Sequence, residues 1–232
     1  MKLNIIVNRG MIVKKEVETC ELFKCENSHI KELFEQNYYP WEILPKINSH
    51  IIKYIETGID GYSKLGDDIL IGEDVKIYPT ATIEGPAIIG SGTEIRPGAF
   101  IRANVIIGEN CVIGNSTEIK NSILLDFVKA PHYNYVGDSI LGNHVHMGAG
   151  AICSNLKIDG KNVVIHGDID YETNLNKLGS VLADGVEIGS NCVLNPGTIV
   201  GKNAFIYPLT PLRGVIPRDV IVKSSNDIVE RK

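Results

Sequence analysis

The 232-residue sequence carries 23 Lys and Arg against 28 Asp and Glu, a formal net charge of −5, with both signs scattered and no basic run, which argues against nucleic acid as a partner. Its apolar runs are only a few residues long, so no membrane-spanning helix is expected, and the apolar stretch in Met1–Arg9 is too short for a signal peptide. The five cysteines, Cys20, Cys25, Cys111, Cys153 and Cys192, are odd in number and irregularly spaced, which fits reduced thiols in a cytoplasmic protein better than a disulfide framework.

Residues 1–67 show no repeat. Asn27-Ser28 offers a cap for a short helix through Leu33, and Leu44, Ile47, Ile51 and Ile55 have helical spacing that Gly58 ends. The reading is a small, partly helical N-terminal cap over the open first coil of the domain that follows, because stacked repeats need closed ends. Cys20 and Cys25 make no metal motif, since their spacing is loose and no second pair exists.

From residue 68 to about 222 a period of six takes over. Ile71, Ile77, Ile83, Ile89, Ile95, Ile101, Ile107, Ile113 and Ile119 recur, with Leu125 continuing the row. Four residues after each Ile stands a mostly small residue: Val75, Ala81, Ala87, Thr93, Ala99, Val105, Cys111 and Thr117. Turn formers fill the gaps. No helix and no single strand has this period. The solution is a three-sided coil of about 18 residues per turn, in which Ile stacks on Ile inside and the small residue fits the corner. The row breaks after 125, resumes out of phase at Leu141, Met147 and Cys153, breaks again over about 155–182, and returns at Ile188, Leu194, Val200, Ile206 and Leu212. Both breaks are expected to be loops projecting from the coil, where function concentrates. Residues 223–232 form a C-terminal tail.

The first break carries the chemistry. It runs from Lys120 through Pro-His132-Tyr-Asn-Tyr135-Val-Gly-Asp138, followed by His144, His146, Met147-Gly-Ala149-Gly and Ser154-Asn155. Arg102 and Lys120 are 18 residues apart, one coil, which stacks two cations on one edge in a form suited to a phosphate group. These motifs resemble the acetyltransferase domain of bifunctional glucosamine-1-phosphate acetyltransferase/N-acetylglucosamine-1-phosphate uridyltransferases, over about residues 68–222.

The resemblance implies an all-β, left-handed parallel β-helix, a handedness that spacing alone does not give. It implies a homotrimer with sites between subunits, and acyl transfer from acetyl-CoA to an amino-sugar phosphate in nucleotide-sugar precursor metabolism. His132 would be the base, its imidazole suited to deprotonating an amine near pH 7. The Ala149 N–H would stabilise the oxyanion. Arg102, Lys120, Tyr135, Asn155 and Lys161 would hold the substrate, and Ser190, Pro208 and Lys223 would line the acetyl-CoA groove.

Two departures stand out. Residues 1–67 lack the Gly-rich, Arg-bearing loop of a nucleotidyltransferase, so no such domain is expected. His146 occupies a position where the family commonly has a sugar-contacting Asn. Two other readings compete: a non-catalytic sugar-phosphate or nucleotide-sugar binding protein, and a γ-carbonic-anhydrase-like zinc enzyme recruiting His144, His146 and His166, whose spacing does not match that family.

Overall fold

A computed structural model describes residues 16–231; the Met1–Arg9 stretch, the rest of 1–15 and Lys232 lie outside the described residues. The repeat folds into a left-handed parallel β-helix with three faces. Sheet 1 stacks Ile69–Ile71, Ala87–Ile89, Val105–Ile107, Ser122–Leu124, Ile140–Leu141, Ser180–Leu182, Thr198–Val200 and Val215–Ile216. Sheet 2 runs from Lys76–Ile77 to Val220–Ser224 and sheet 3 from Thr82–Ile83 to Pro211–Leu212. The predicted Ile row points inward, and Ile89, Ile95, Ile101, Ile107, Ile113 and Ile119 are fully buried in one core.

Corners follow a rule. At most corners the third residue after the inward side chain turns with positive φ, and after Ile119 and Val136, in the shortened coils, the second does; Asp74, Asn104, Asn110, Ser116, Asn121, Asp138, Asn191, Asn203 and Asp219 adopt φ from 45° to 64° at these turns. Short polar residues and Gly tolerate this left-handed conformation best. Next to each such turn sits the small residue, and Thr93, Ala99, Cys111 and Thr117 are buried as the pattern asks.

The first break is not a projecting loop. The coil continues through it on 17 residues instead of 18: Ile107 pairs with Leu124, Ile113 with Ala130, Ile119 with Val136, and Leu124 with Leu141. Dropping one residue per coil shifts the phase, so Leu124 rather than Leu125 faces the core, and Leu125 packs outside it. The second break is a true insertion. The step from Leu141 to its partner Leu182 takes 41 residues, and the excess includes a hairpin of Val164–His166 with Asp170–Glu172. It folds back onto the flank, burying Val163, Ile165 and Leu178.

The predicted helices form. Ser28–Glu35 (α1) starts where the Asn27 side chain accepts from the His29 N–H, and Ile47–Thr57 (α2) ends at Gly58 with φ 80°. Their place differs from the expected cap. They lie along the outer face of sheet 1, where Ile30, Leu33, Phe34, Trp41, Ile47 and Ile51 pack with Leu70, Ile88, Ile106, Ile123, Ile140, Val181, Ile199 and Val215. The reason is apolar matching: every outward side chain of sheet 1 is aliphatic, and each buried Ile or Leu contributes ~1.5–3 kcal/mol. At the first coil Ser63–Lys64 pairs only with Ile69–Ile71, leaving Ile77 38% exposed. The far end is closed by Asp227–Glu230, which turns back on Val220–Ser224 and inserts Ile228 into the core.

Candidate active site

The helical register brings four sequence-predicted residues into one line. Lys129 pairs with His146, His146 with Glu187, and Glu187 with Phe205. Three residues downstream on each coil, at the corner between sheets 2 and 3, this aligns His132, Ala149, Ser190 and Pro208. Backbone hydrogen bonds tie the row together: Gly150 N–H to His132 O at 3.0 Å, Asn191 N–H to Ala149 O at 2.8 Å and Leu209 N–H to Ser190 O at 2.9 Å. At strand spacing, the row spans three steps, ~14 Å. Lys223 lies just beyond its end, next to Tyr207 on the following strand, and is exposed.

His132 is exposed, and its imidazole has no partner among the described residues. Its backbone is fixed instead. Asn134, 2% exposed, occupies the small corner position. Its Oδ1 accepts from the His132 N–H at 3.2 Å, and its Nδ2 donates to Gly148 O at 2.8 Å and Ala151 O at 3.3 Å. One buried amide thus locks the His132 corner to the Gly148–Ala151 corner beside it. Sequence reading missed Asn134; its signal was a polar residue at a position that the repeat reserves for small side chains.

The cation-bearing residues sit at the other edge of sheet 3, where it meets sheet 1. Arg102 and Lys120 are one coil apart as the spacing predicts. Neither is unpaired: Arg102 donates to Glu118 at 2.9 Å, which holds its guanidinium pKa above the ordinary value, and Lys120 meets Asp138 at 3.4 Å. Asp138, 5% exposed, is the hub, also accepting from Asn121 at 2.8 Å and from Asn155. Asn155 further donates to the Tyr135 oxygen at 3.3 Å. Burial first, then Glu118 and Asp138, push the Tyr135 phenol pKa up. It therefore stays protonated, with its own O–H left to donate. Asp138 was not singled out as a site residue, although it repeats the 18-residue step from Lys120. Lys161 does not join this cluster within one chain; it is exposed on the insertion, its N–H bonded to Asp159.

The three histidines of the zinc alternative are held apart. His144 stacks on Phe127 at the corner of sheets 1 and 2, with ring centroids 4.7 Å apart. His146, on the outer face of sheet 2, bonds through Nδ1 to Glu187 at 2.9 Å. His166, on the inserted hairpin, meets Asp170 at 3.0 Å and accepts from Arg213 at 3.2 Å. No cluster of three metal-capable His, Cys, Asp or Glu side chains forms among the described residues. A cavity of about 500 Å³ lined by Tyr39, Trp41, Glu42 and residues 170–175 lies on the covered flank, not at the row. No helix of the described residues is long and apolar enough to cross a membrane.

Comparison with known proteins shows what the chain is similar to. The GMPPB C-terminal domain family matches residues 83–174. The bifunctional protein GlmU of Methanococcus aeolicus is 34% identical over 227 residues, covering 92% of this chain and 54% of that protein. A bifunctional sugar-1-phosphate nucleotidylyltransferase/acetyltransferase of Sulfurisphaera tokodaii is 35% identical over 102 residues, covering 44% of this chain and 24% of its own length. Among solved structures, the Francisella novicida UDP-N-acetylglucosamine acyltransferase aligns with a TM-score of 0.47 at 17% identity, over 68% of this chain and 66% of that one. The chain is thus a hexapeptide-repeat protein related to the GlmU bifunctional proteins, and it spans about half the length of such relatives.

Proposed function

We propose that this protein is an acetyl-CoA-dependent N-acetyltransferase acting on an amino-sugar phosphate of the glucosamine-1-phosphate kind, in the cytoplasm. The observation that carries the reading is the registered row His132–Ala149–Ser190–Pro208, which offers an imidazole, a backbone corner and an extended edge in the order that a thioester on a long arm requires. His132 takes a proton from the substrate ammonium. The freed amine attacks the thioester carbonyl, the Ala149 N–H meets the developing oxyanion, a C–N bond forms, the C–S bond breaks, the CoA thiolate leaves with the proton held by His132, and the acylated nitrogen gives its surplus proton to solvent. Arg102, Lys120, Tyr135 and Asn155 bind the sugar phosphate, which competes with Glu118 and Asp138 for the two cations.

The working form we propose is a homotrimer. His132 and Asp138, the hub of the Lys120 cluster, stand at opposite edges of sheet 3, six residues apart along one coil, which is at most roughly 20 Å of extended backbone. A second copy laid against sheet 3 brings the cluster of one chain to the row of the next and gives Lys161 a site to face. Sheet 3 suits that contact, since Ile152 and Val193 on its outer face are 37% and 40% exposed.

The test is release of free CoA from acetyl-CoA with a panel of amino-sugar 1- and 6-phosphates. The expected result is acceptor-dependent release that falls at least ~100-fold in His132→Ala. Binding of sugar phosphates without release from any acceptor would favour the binding-protein reading instead.

A further inference from the structure

The turn positions of the coil hold an anomaly that packing does not explain. Nearly all are Gly, Asn, Asp or Ser, because a left-handed backbone crowds a larger side chain. Thr80 (φ 71°) is β-branched, and four positions carry residues bulkier still: Phe127 (φ 62°), Tyr133 (φ 52°), His144 (φ 59°) and Leu209 (φ 61°). Phe127 and His144 stack on each other. Tyr133 and Leu209 have no such partner among the described residues, and they are 64% and 74% exposed. Each combines a strained backbone with an exposed apolar side chain, and nothing among the described residues compensates. Such outliers persist where function holds them.

Their placement gives the function. Tyr133 follows His132 and Leu209 follows Pro208, so the pair brackets the two ends of the row. Between them the turn positions are Gly150 and Asn191, and the Asn191 side chain sits so close to Gly150 that even a Cβ there would meet its Oδ1 at 2.2 Å. The result is a low floor between two apolar posts about three strand spacings apart, ~14 Å, the order of length of an extended pantetheine arm. We propose that Tyr133 and Leu209 are the end walls of the acyl-donor groove. Tyr133 bounds the thioester end beside His132, Leu209 bounds the far end, and their contacts with the donor are what keep them at strained positions. The inference rests on the acyltransferase reading above.

The test replaces each by the residue that the turn itself prefers, Tyr133→Asn and Leu209→Asn, in the full chain. Acetyl-CoA binding is followed by calorimetry, with melting temperature and molecular mass measured alongside. The expected signature is binding weakened at least fivefold in each variant, with an unchanged or higher melting temperature and unchanged mass. Affinity within twofold of wild type overturns the proposal. So does a fall in mass to smaller species, which would make these side chains a contact between copies of the chain. Wild-type protein that binds acetyl-CoA but transfers to no acceptor refutes the proposed function and leaves the groove walls standing. Wild-type protein that does not bind acetyl-CoA refutes both.

Discussion

The outer faces of sheets 1 and 3 have the same backbone and opposite fates. Sheet 1 presents Leu70, Ile88, Ile106, Ile123, Ile140, Val181, Ile199 and Val215, all at most 2% exposed beneath the N-terminal layer. Sheet 3 presents Thr82, Phe100, Glu118, Tyr135, Ile152, Val193 and Pro211, each partly or fully open. A strand buried on both sides reads as an unbroken apolar run, and one open on a side alternates. The coil is therefore a scaffold whose faces are assigned by outward residues alone. One face is buried for stability and another is left open, where the proposed ligands and second copy would lie.

The sharpest way to break this comparison is a matched pair of truncations. Ile106→Ala should cost about 3 kcal/mol, within the range for a buried Ile that leaves a cavity. Ile152→Ala, measured by denaturation of the dissociated chain, should cost under ~1 kcal/mol. Equal losses would mean that the two faces are not distinguished as described.

The next effect separates the N-terminal layer from the coil by pH. His29 is 5% exposed, its Nε2 is buried without a hydrogen-bond partner among the described residues, and its ring packs edge-on against Tyr54 and Tyr62. Burial, helped slightly by His50, lowers its pKa from 6.5 to about 4. A folded value below the unfolded one means that the stability contribution is complete above about pH 6.5 and is lost as pH falls toward 4. At pH 5 the loss is about 2 kcal/mol. The layer should loosen first, visible in the fluorescence of Trp41, the only tryptophan. His29→Phe should flatten that acid dependence; an unchanged pH profile would sever the link to His29.

Asn134→Ala tests the corner lock, leaving the His132 N–H unpaired and removing one of the two bonds at each of Gly148 O and Ala151 O, at a cost of about 1–3 kcal/mol. It should lower turnover without shifting the acceptor KM. The smallest stability effect belongs to Arg102→Ala. Its ion pair with Glu118 is partly exposed, so the variant should lose at most ~1 kcal/mol while raising KM for a phosphorylated acceptor.

Much of this was legible in the sequence because the coil is nearly one-dimensional. The Ile row gave the fold, and the Arg102-to-Lys120 step placed two cations on one edge. The 17-residue coils were not legible, since a missing residue imitates a break and Ala130 is too small to stand out in an aliphatic row. The flank position of α1 and α2 was hidden for a different reason. An apolar helix face and an apolar sheet face both show in sequence, but nothing local says that they meet. Asn134 and Asp138 lay inside a motif read for its histidine, and their roles appear only when neighbouring coils are superposed.

The central claim is that one copy supplies the His132 row and another the Lys120 cluster. It is tested most directly by co-expressing His132→Ala and Lys120→Ala chains, each impaired alone, and assaying acetyl transfer by the purified mixed oligomers. Recovery of a substantial fraction of wild-type activity is the predicted result, because some interfaces then hold an intact half from each chain. Mixed oligomers no more active than either parent would contradict it and place the whole site within a single chain.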